Sequence, residues 1–378
     1  MSYRIATFNI RKFSRQAAFE NKDGNRKKDL ETIAQIIREN CIDIIAIQEI
    51  LHKEALKELL ETISGQYAEA DRSKRDSKEY GSYHVNARMS DSYGYRTKHW
   101  EGRWAIPISN FGNGIAEGYA YIWNRDRIKL VTNLKGESFE PRIADAGNVK
   151  NLVRPPFLGR FMPINGRFEF RLINTHIVYS VPSKKIDEDE DSAADFFMNG
   201  NEDVQLRKKE FRSLIDTIFI AYSEKVFDTN LHDREARLLE PFTFVLGDYN
   251  LNLNSSAGNP KARFDREDEC ISRVSKGKLE IVTVNDKLTT LKGKRKSPEL
   301  QAKLDADPIV EHHLSNNYDH FTYDRNRFEA NQVGVPEVIW AFDHYTSQGD
   351  ETKFDIYRNK ISDHLPVYIE IDITRRSK

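Results

Sequence analysis

Several short segments of this chain set carboxylate, amide and imidazole side chains beside apolar runs. Gly247-Asp248-Tyr249-Asn250 directly follows the apolar run Phe242–Leu246. At the end of a strand, residues i and i+2 face the same side, so Asp248 and Asn250 are placed to converge on one ligand atom. A carboxylate there orients or deprotonates a water, and a neutral amide holds a phosphate oxygen without adding negative charge. The same four residues also suit a plain Asx turn that closes a strand.

Ser362-Asp363-His364 stands just before the apolar run Leu365–Ile373. Neighbouring strand residues point to opposite faces, so Asp363 is poorly placed to orient His364. The pair is expected to divide the work, Asp363 near a metal and His364 in proton transfer. The carboxylate that orients His364 then comes from elsewhere, and Tyr318-Asp319 supplies one. Glu49 ends the apolar run Ile42–Ile47 after Gln48, and the carboxyl end of a central strand is a common place for a metal ligand. Asn174-Thr175-His176 ends another apolar strand, where a lone histidine is more often a satisfied core residue than a catalyst.

The elements that must position these residues alternate between strand and helix. Tyr3–Ile10, Ile42–Ile47, Tyr119–Trp123, Phe168–Thr175, Phe242–Leu246, Val335–Phe342 and Val367–Ile373 read as strands. Leu30, Ile33, Ala34, Ile36 and Ile37 recur at helical spacing, and a second helix is expected over Glu54–Thr62. A long helix from Val204 to Tyr222 carries Leu206, Phe211, Leu214, Ile215 and Ile218 on one side. Such alternation predicts an α/β architecture. Residues near 71–113, 183–203 and 254–300 have loop composition, and no repeat or linker interrupts residues 1–378, which read as one decorated domain. Within the first insertion, Tyr93, Tyr95, Trp100 and Trp104 interleave with Arg96, Lys98 and Arg103, a mixture that suits base stacking and phosphate contact as well as ordinary packing.

Of 378 residues, 39% are hydrophobic and 31% charged, a globular profile. No apolar run approaches the roughly 18 residues that span a bilayer, so no membrane segment is expected. Two cysteines, Cys41 and Cys270, exclude a disulfide scaffold and a thiolate metal cluster, and fit a reducing, cytoplasmic setting. A formal net charge of −1 argues against coating nucleic acid by electrostatics alone, though a local basic groove stays compatible. Without HExxH or a cysteine cluster, zinc chemistry is disfavoured.

In chain order, TFNI from Thr7, IQE ending at Glu49, EGYAYIW from Glu117, RPPF from Arg154, NTH from Asn174, GDYN, YDH from Tyr318 and SDHLPV from Ser362 resemble the motif series of the endonuclease/exonuclease/phosphatase superfamily. The resemblance runs from Thr7 to Val367. It implies a four-layer α/β/β/α sandwich of two mixed β-sheets, like deoxyribonuclease I, and Mg²⁺-dependent phosphodiester hydrolysis, with Mn²⁺ as a substitute. By the same resemblance, Glu49 and Asp363 are metal ligands and Asn9 helps arrange the metal and phosphate. His176 is a catalytic histidine oriented by Glu117, Asp248 and Asn250 flank the nucleophile and phosphate, and His364 is the terminal histidine with Asp319 as its partner.

Arg154-Pro155-Pro156-Phe157 resembles the Arg-Pro element of deoxyribonuclease I-like nucleases, which implies that Arg154 contacts a backbone phosphate. A nucleic acid, with DNA foremost, is therefore the expected partner. The chain departs from that pattern at Ile115, where a tyrosine is usual, and at Ile50-Leu51, where a basic pair is usual. Two alternatives stay open: a phosphoesterase of the same fold acting on RNA, lipid or inositol phosphates, and a catalytically inactive nucleic-acid-binding module.

Overall fold

The computed structural model describes residues 1–18, 28–71, 93–107, 117–132, 138–144, 152–166, 168–177, 202–224, 239–252, 272–275, 279–293, 297–329, 332–349 and 351–373. Its strands, in chain order, are β1 (Ser2–Phe13), β2 (Ile44–Ile50), β3 (Glu69–Asp71), β4 (Tyr93–Arg96), β5 (Trp100–Ala105), β6 (Gly118–Asn124), β7 (Ile128–Leu130) and β8 (Arg142–Ile143). There follow β9 (Phe157–Pro163), β10 (Phe168–His176), β11 (Glu240–Asp248), β12 (Ser272–Ser275), β13 (Leu279–Val284), β14 (Asp319–Asp324), β15 (Glu337–Val338) and β16 (Val367–Asp372).

These strands make two mixed sheets of eight. The first runs β15-β16-β1-β2-β6-β5-β4-β3, and the second β12-β13-β14-β11-β10-β9-β7 with β8 on β9. One parallel pair sits in the middle of each, β1 with β2 and β10 with β11, and the neighbours named here pair antiparallel. A parallel central pair needs apolar cover on both faces. Ile44–Ile47 of β2 is accordingly buried throughout.

The sheets meet face to face. Phe170 and Leu172 of β10, Phe242, Phe244 and Leu246 of β11, and Phe321 of β14 share one apolar cluster with Ile5, Phe8 and Tyr121 of the first sheet. Tyr121 stacks on Phe157 with ring centroids 5.1 Å apart, and Trp123 meets Phe161 edge-on at 5.2 Å. Intervening residues of the second sheet, Ile173 and Val245, face outward against Phe211, Leu214, Ile215, Ile218 and Phe219.

Helices close both outer faces. After the single turn α1 (Arg15–Ala18), α2 (Leu30–Glu39) and α3 (Lys53–Ser64) lie over the first sheet. Asp29 caps α2 by accepting from Thr32 N at 3.0 Å, and Gly65 ends α3 in the left-handed conformation. The helix expected over Val204–Tyr222 is continuous in path but not in type. It comprises α4 (Glu202–Ser213), a π-helical turn over Leu214–Phe219 and α5 (Ile220–Glu224).

Three sequence expectations need correction. Val335–Phe342 holds only the two residues of β15, followed by a 3₁₀ turn at Ala341–His344. Its Pro336 has no N–H for a ladder, and the apolar run packs as irregular chain. The first insertion contributes β4 and β5 to the sheet, and the third contributes β12, β13 and a capped helix, α6 (Pro298–Asp305). Within those polar stretches, Trp100, Arg103 and Trp104 of β5 and Leu279, Ile281 and Val282 of β13 are buried. Residues 183–201, Ile115 and Cys270 lie outside the described residues.

Candidate active site

Period-two alternation brings the site to one end of the sandwich. On β10, Phe170 and Leu172 point between the sheets, so Asn174 and His176 do as well. On β11 the same count takes Phe244 and Leu246 to Asp248, and on β14 it takes Phe321 back to Asp319. His320, one residue out of phase, faces the other way, where its ring lies 5.3 Å from that of Tyr249.

Asp248 sits at the centre, 1% exposed. Its Oδ1 accepts from Asn250 N at 2.9 Å, and its Oδ2 accepts from Asn9 Nδ2 at 3.0 Å. The same Oδ2 lies 3.5 Å from His176 Nε2 and 3.5 Å from His364 Nε2. Gly247 makes this placement possible. At φ 145°, a Cβ on it would come within 1.9 Å of Thr175 O on the neighbouring strand.

Asn250 reaches the site by another route than strand alternation. The strand stops at Asp248, Asn250 adopts φ 50°, and its Nδ2 donates to Ile177 O at 2.7 Å. Asp248 and Asn250 therefore form an Asx turn and line the site at once.

Glu49 depends on a bulge. The register of β2 against β6 shifts between Gln48 and Ile50, and Glu49 takes φ 59°. An extra residue re-aims a side chain in this way. Its Oε1 accepts from Asn9 Nδ2 at 3.1 Å and its Oε2 from Lys12 N at 2.9 Å. Each oxygen thus keeps a lone pair for a cation. Neighbouring β1 is irregular at the same level, with Arg11 at φ 45° and Lys12 at φ 51°. Left-handed backbone of this kind costs of order 1–3 kcal/mol per residue and gathers where surrounding structure over-determines it.

Two imidazole–carboxylate pairs flank Asp248. His364 Nδ1 is 2.9 Å from Asp319 Oδ2, with Asp319 buried and His364 partly exposed. Burial works against charge on His364, yet Asp319 and Asp248 outweigh it and hold its pKa well above the ordinary histidine value. His176 Nδ1 is 3.2 Å from Glu117 Oε2. Burial raises the Glu117 carboxyl, but His176 and Arg154 overcome that and keep it below its usual range. Arg154 Nη1 stands 2.8 Å from Glu117 Oε2 and 2.8 Å from His176 Nδ1.

Asp363 and His364 part company as their adjacency implied. While His364 turns to Asp319, Asp363 Oδ2 pairs with Arg11 Nη1 at 3.0 Å. Glu49, Glu117 and His176 each present a ligand atom, and these atoms all lie within 4.8 Å of one another. Oxygen donors with one imidazole suit Mg²⁺ or Mn²⁺ better than a thiophilic ion. Asp363 is not in this group, and Glu117 and His176 are already paired with each other, so the fit to a hard divalent cation rests on the free lone pairs of Glu49.

Sequence reasoning missed the supporting shell. Lys28 is buried beside Asp363, Arg11 and Glu49, and its Nζ donates to Ile361 O just before the Ser362–His364 segment. Burial draws its pKa down to about 8, although both carboxylates oppose the change. Ser362 Oγ donates to Asn9 O at 2.6 Å. Gln48 Nε2 donates to Asn174 Oδ1 at 2.7 Å, and Asn174 Nδ2 reaches Ile47 O and Ala120 O. This buried amide pair bolts the sheets together directly under the site. The only signal in sequence was a polar residue interrupting each of two apolar strand ends.

The chain matches no family model, and no curated protein matches it. Similar solved structures include an endonuclease/exonuclease/phosphatase family protein from Bacteroides thetaiotaomicron, 15% identical over 99% of each chain with a TM-score of 0.48. Another is the mannosyl-6-phosphatase Bt3783 from Bacteroides thetaiotaomicron VPI-5482, 15% identical over 98% of this chain and 100% of that one, with a TM-score of 0.47. Truncated TDP2 from Caenorhabditis elegans is 11% identical over 99% of this chain and 98% of that chain, with a TM-score of 0.45.

Proposed function

We propose that residues 1–378 act as one metal-dependent phosphodiester hydrolase domain, a DNA endonuclease foremost. The observation that carries this is the single Asp248 oxygen set 3.5 Å from both His176 Nε2 and His364 Nε2. Hydrolysis of a phosphodiester needs a proton taken from water, positive charge facing the phosphoryl oxygens, and stabilisation of the leaving oxygen.

Each requirement has a residue. His364, held protonated between Asp319 and Asp248, faces developing negative charge and gives a proton to the leaving oxygen. His176, with Glu117 on Nδ1, accepts the proton of the attacking water at Nε2. Asp248 cannot rotate away, because Asn9 and Asn250 grip its two oxygens. Arg154 offers a planar fork to a phosphate. Glu49 and Asp363 would hold Mg²⁺ or Mn²⁺, which supplies Lewis-acid polarisation of a phosphoryl oxygen when bound. Among the described residues no helix is long and apolar enough to cross a membrane. The low cysteine count suggests the cytoplasm as the setting.

The substrate class is tested by incubating the protein with Mg²⁺ or Mn²⁺ against plasmid DNA, RNA, bis-p-nitrophenyl phosphate and inositol phosphates. Nicking of the plasmid, suppressed by EDTA, is expected. Cleavage of inositol phosphates alone would replace the nuclease reading, and cleavage of nothing would remove the hydrolase reading.

A further inference from the structure

The two imidazole–carboxylate pairs are not equivalent. At His364 the pair is closed: Nδ1 meets Asp319 Oδ2 at 2.9 Å. At His176 an arginine intrudes. Nδ1 is 2.8 Å from Arg154 Nη1 and 3.2 Å from Glu117 Oε2, while Arg154 Nη1 is also 2.8 Å from Glu117 Oε2.

A ring nitrogen carries either a proton or a lone pair. Arginine has only donors, so the short contact requires a bare, accepting Nδ1. A proton on Nδ1 would point N–H at N–H across 2.8 Å, which is repulsive. The neutral ring must then carry its proton on Nε2, directed at Asp248 Oδ2 3.5 Å away. In that tautomer Nε2 has no lone pair and cannot take a proton from water. Withdrawal of Arg154 reverses this: Glu117 becomes the acceptor of Nδ1–H, and Nε2 becomes a base. Overall no proton is gained or lost; one leaves Nε2 and one arrives at Nδ1, exchanged through solvent.

We propose that Arg154 is a positioning residue that holds His176 in the inactive Nε2–H tautomer and frees it when the guanidinium engages a substrate phosphate. This rests on the hydrolase reading above. Pro155 and Pro156 fix φ immediately after Arg154, so the movement belongs to the side chain and not to the backbone. A phosphate offers the guanidinium a bidentate partner in place of one carboxylate oxygen and one imidazole nitrogen. Binding and activation are thereby coupled: Nε2 becomes basic only while a phosphate stands in front of it.

The tautomer is read by NMR in protein labelled with ¹⁵N at its ten histidines, with EDTA present and H176Q identifying the His176 signals. The resting protein should show the Nε2–H pattern, and the R154A variant the Nδ1–H pattern. Saturating inorganic phosphate should convert the parent to Nδ1–H and leave R154A unchanged. An Nδ1–H signal in the resting parent overturns the proposal, as does Nε2–H retained in R154A. Should R154A fail to fold, the phosphate titration of the parent decides alone, and a signal unmoved at saturation overturns release by phosphate. None of these readouts requires turnover, so loss of the hydrolase reading and loss of the tautomer device are separately visible.

Discussion

Asn9 donates from Nδ2 to Asp248 Oδ2 across 3.0 Å, joining β1 of the first sheet to the last residue of β11 in the second. The same amide nitrogen donates to Glu49 Oε1 at 3.1 Å. One neutral side chain therefore sets the spacing between a proposed metal ligand and the carboxylate that both histidines face.

Replacing Asn9 by Ala should lower kcat by roughly 10²-fold, the scale of a small misplacement of reacting groups. The melting temperature should move little by comparison, because Ile5 and Phe8 still pack. Steady-state kinetics beside calorimetry checks the split. A large loss of stability with unchanged kcat would show Asn9 to be structural only.

Glu49 carries the metal in this account. E49Q keeps the shape and the Asn9 contact but removes charge, so apparent Mg²⁺ affinity should fall by at least the roughly 10–100-fold typical of outer-shell changes. Titration calorimetry with Mg²⁺ or Mn²⁺ measures it without substrate. An unchanged affinity would move the ion elsewhere.

Gly247 tests how the fold delivers Asp248. G247A places a methyl where Thr175 O would be 1.9 Å away and forces alanine to φ 145°. Strain and overlap together should cost at least about 2 kcal/mol in urea unfolding. Activity should drop along with it, since β10 and β11 must separate.

Much of this site could be read from the sequence, and the reasons are local. Asp319 against His320 divides by strand alternation, which needs only a count from an apolar neighbour, whereas Asp363 and His364 diverge in the turn before β16. Glu49, Arg11 and Lys12 did not follow that count, because a bulge resets the facing of every residue after it. Lys28 and the Gln48–Asn174 bolt were invisible for a different reason. Their partners are far away in the chain, at Ile361 O and across the sandwich, and no spacing rule relates them. Strands β4, β5, β12 and β13 were taken for loops since the stretches that hold them are polar overall, while Val335–Phe342 looked apolar enough for a strand that its proline forbids.

A buried histidine outside the site gives a prediction in pH. Burial lowers His320 to about 4, although Leu251 O accepts from its Nε2 at 2.8 Å. Its folded value lies below the unfolded 6.5, so its contribution is complete above pH 6.5 and is lost as pH falls towards 4. Asp43 opposes it. Burial raises Asp43 to about 6, so its contribution is complete below 3.8 and lost as pH rises through 6. The two contributions run in opposite directions in the parent, and variants separate them. The cost of H320Q in urea unfolding, with EDTA present, should shrink by roughly 2–3 kcal/mol from pH 7 to pH 4.5. A cost independent of pH would mean that His320 is not buried as a neutral ring.

The most direct test of the central claim is metal-dependent cleavage of a supercoiled plasmid by the parent, H176A, H364A and D319N proteins at matched fold content. General acid–base groups contribute about 10²–10⁴-fold, so the two alanine variants should each lose at least about 10²-fold. D319N should fall between them and the parent, and EDTA should abolish what remains. Cleavage by H176A and H364A at the parent rate, or cleavage that survives EDTA, would contradict the account.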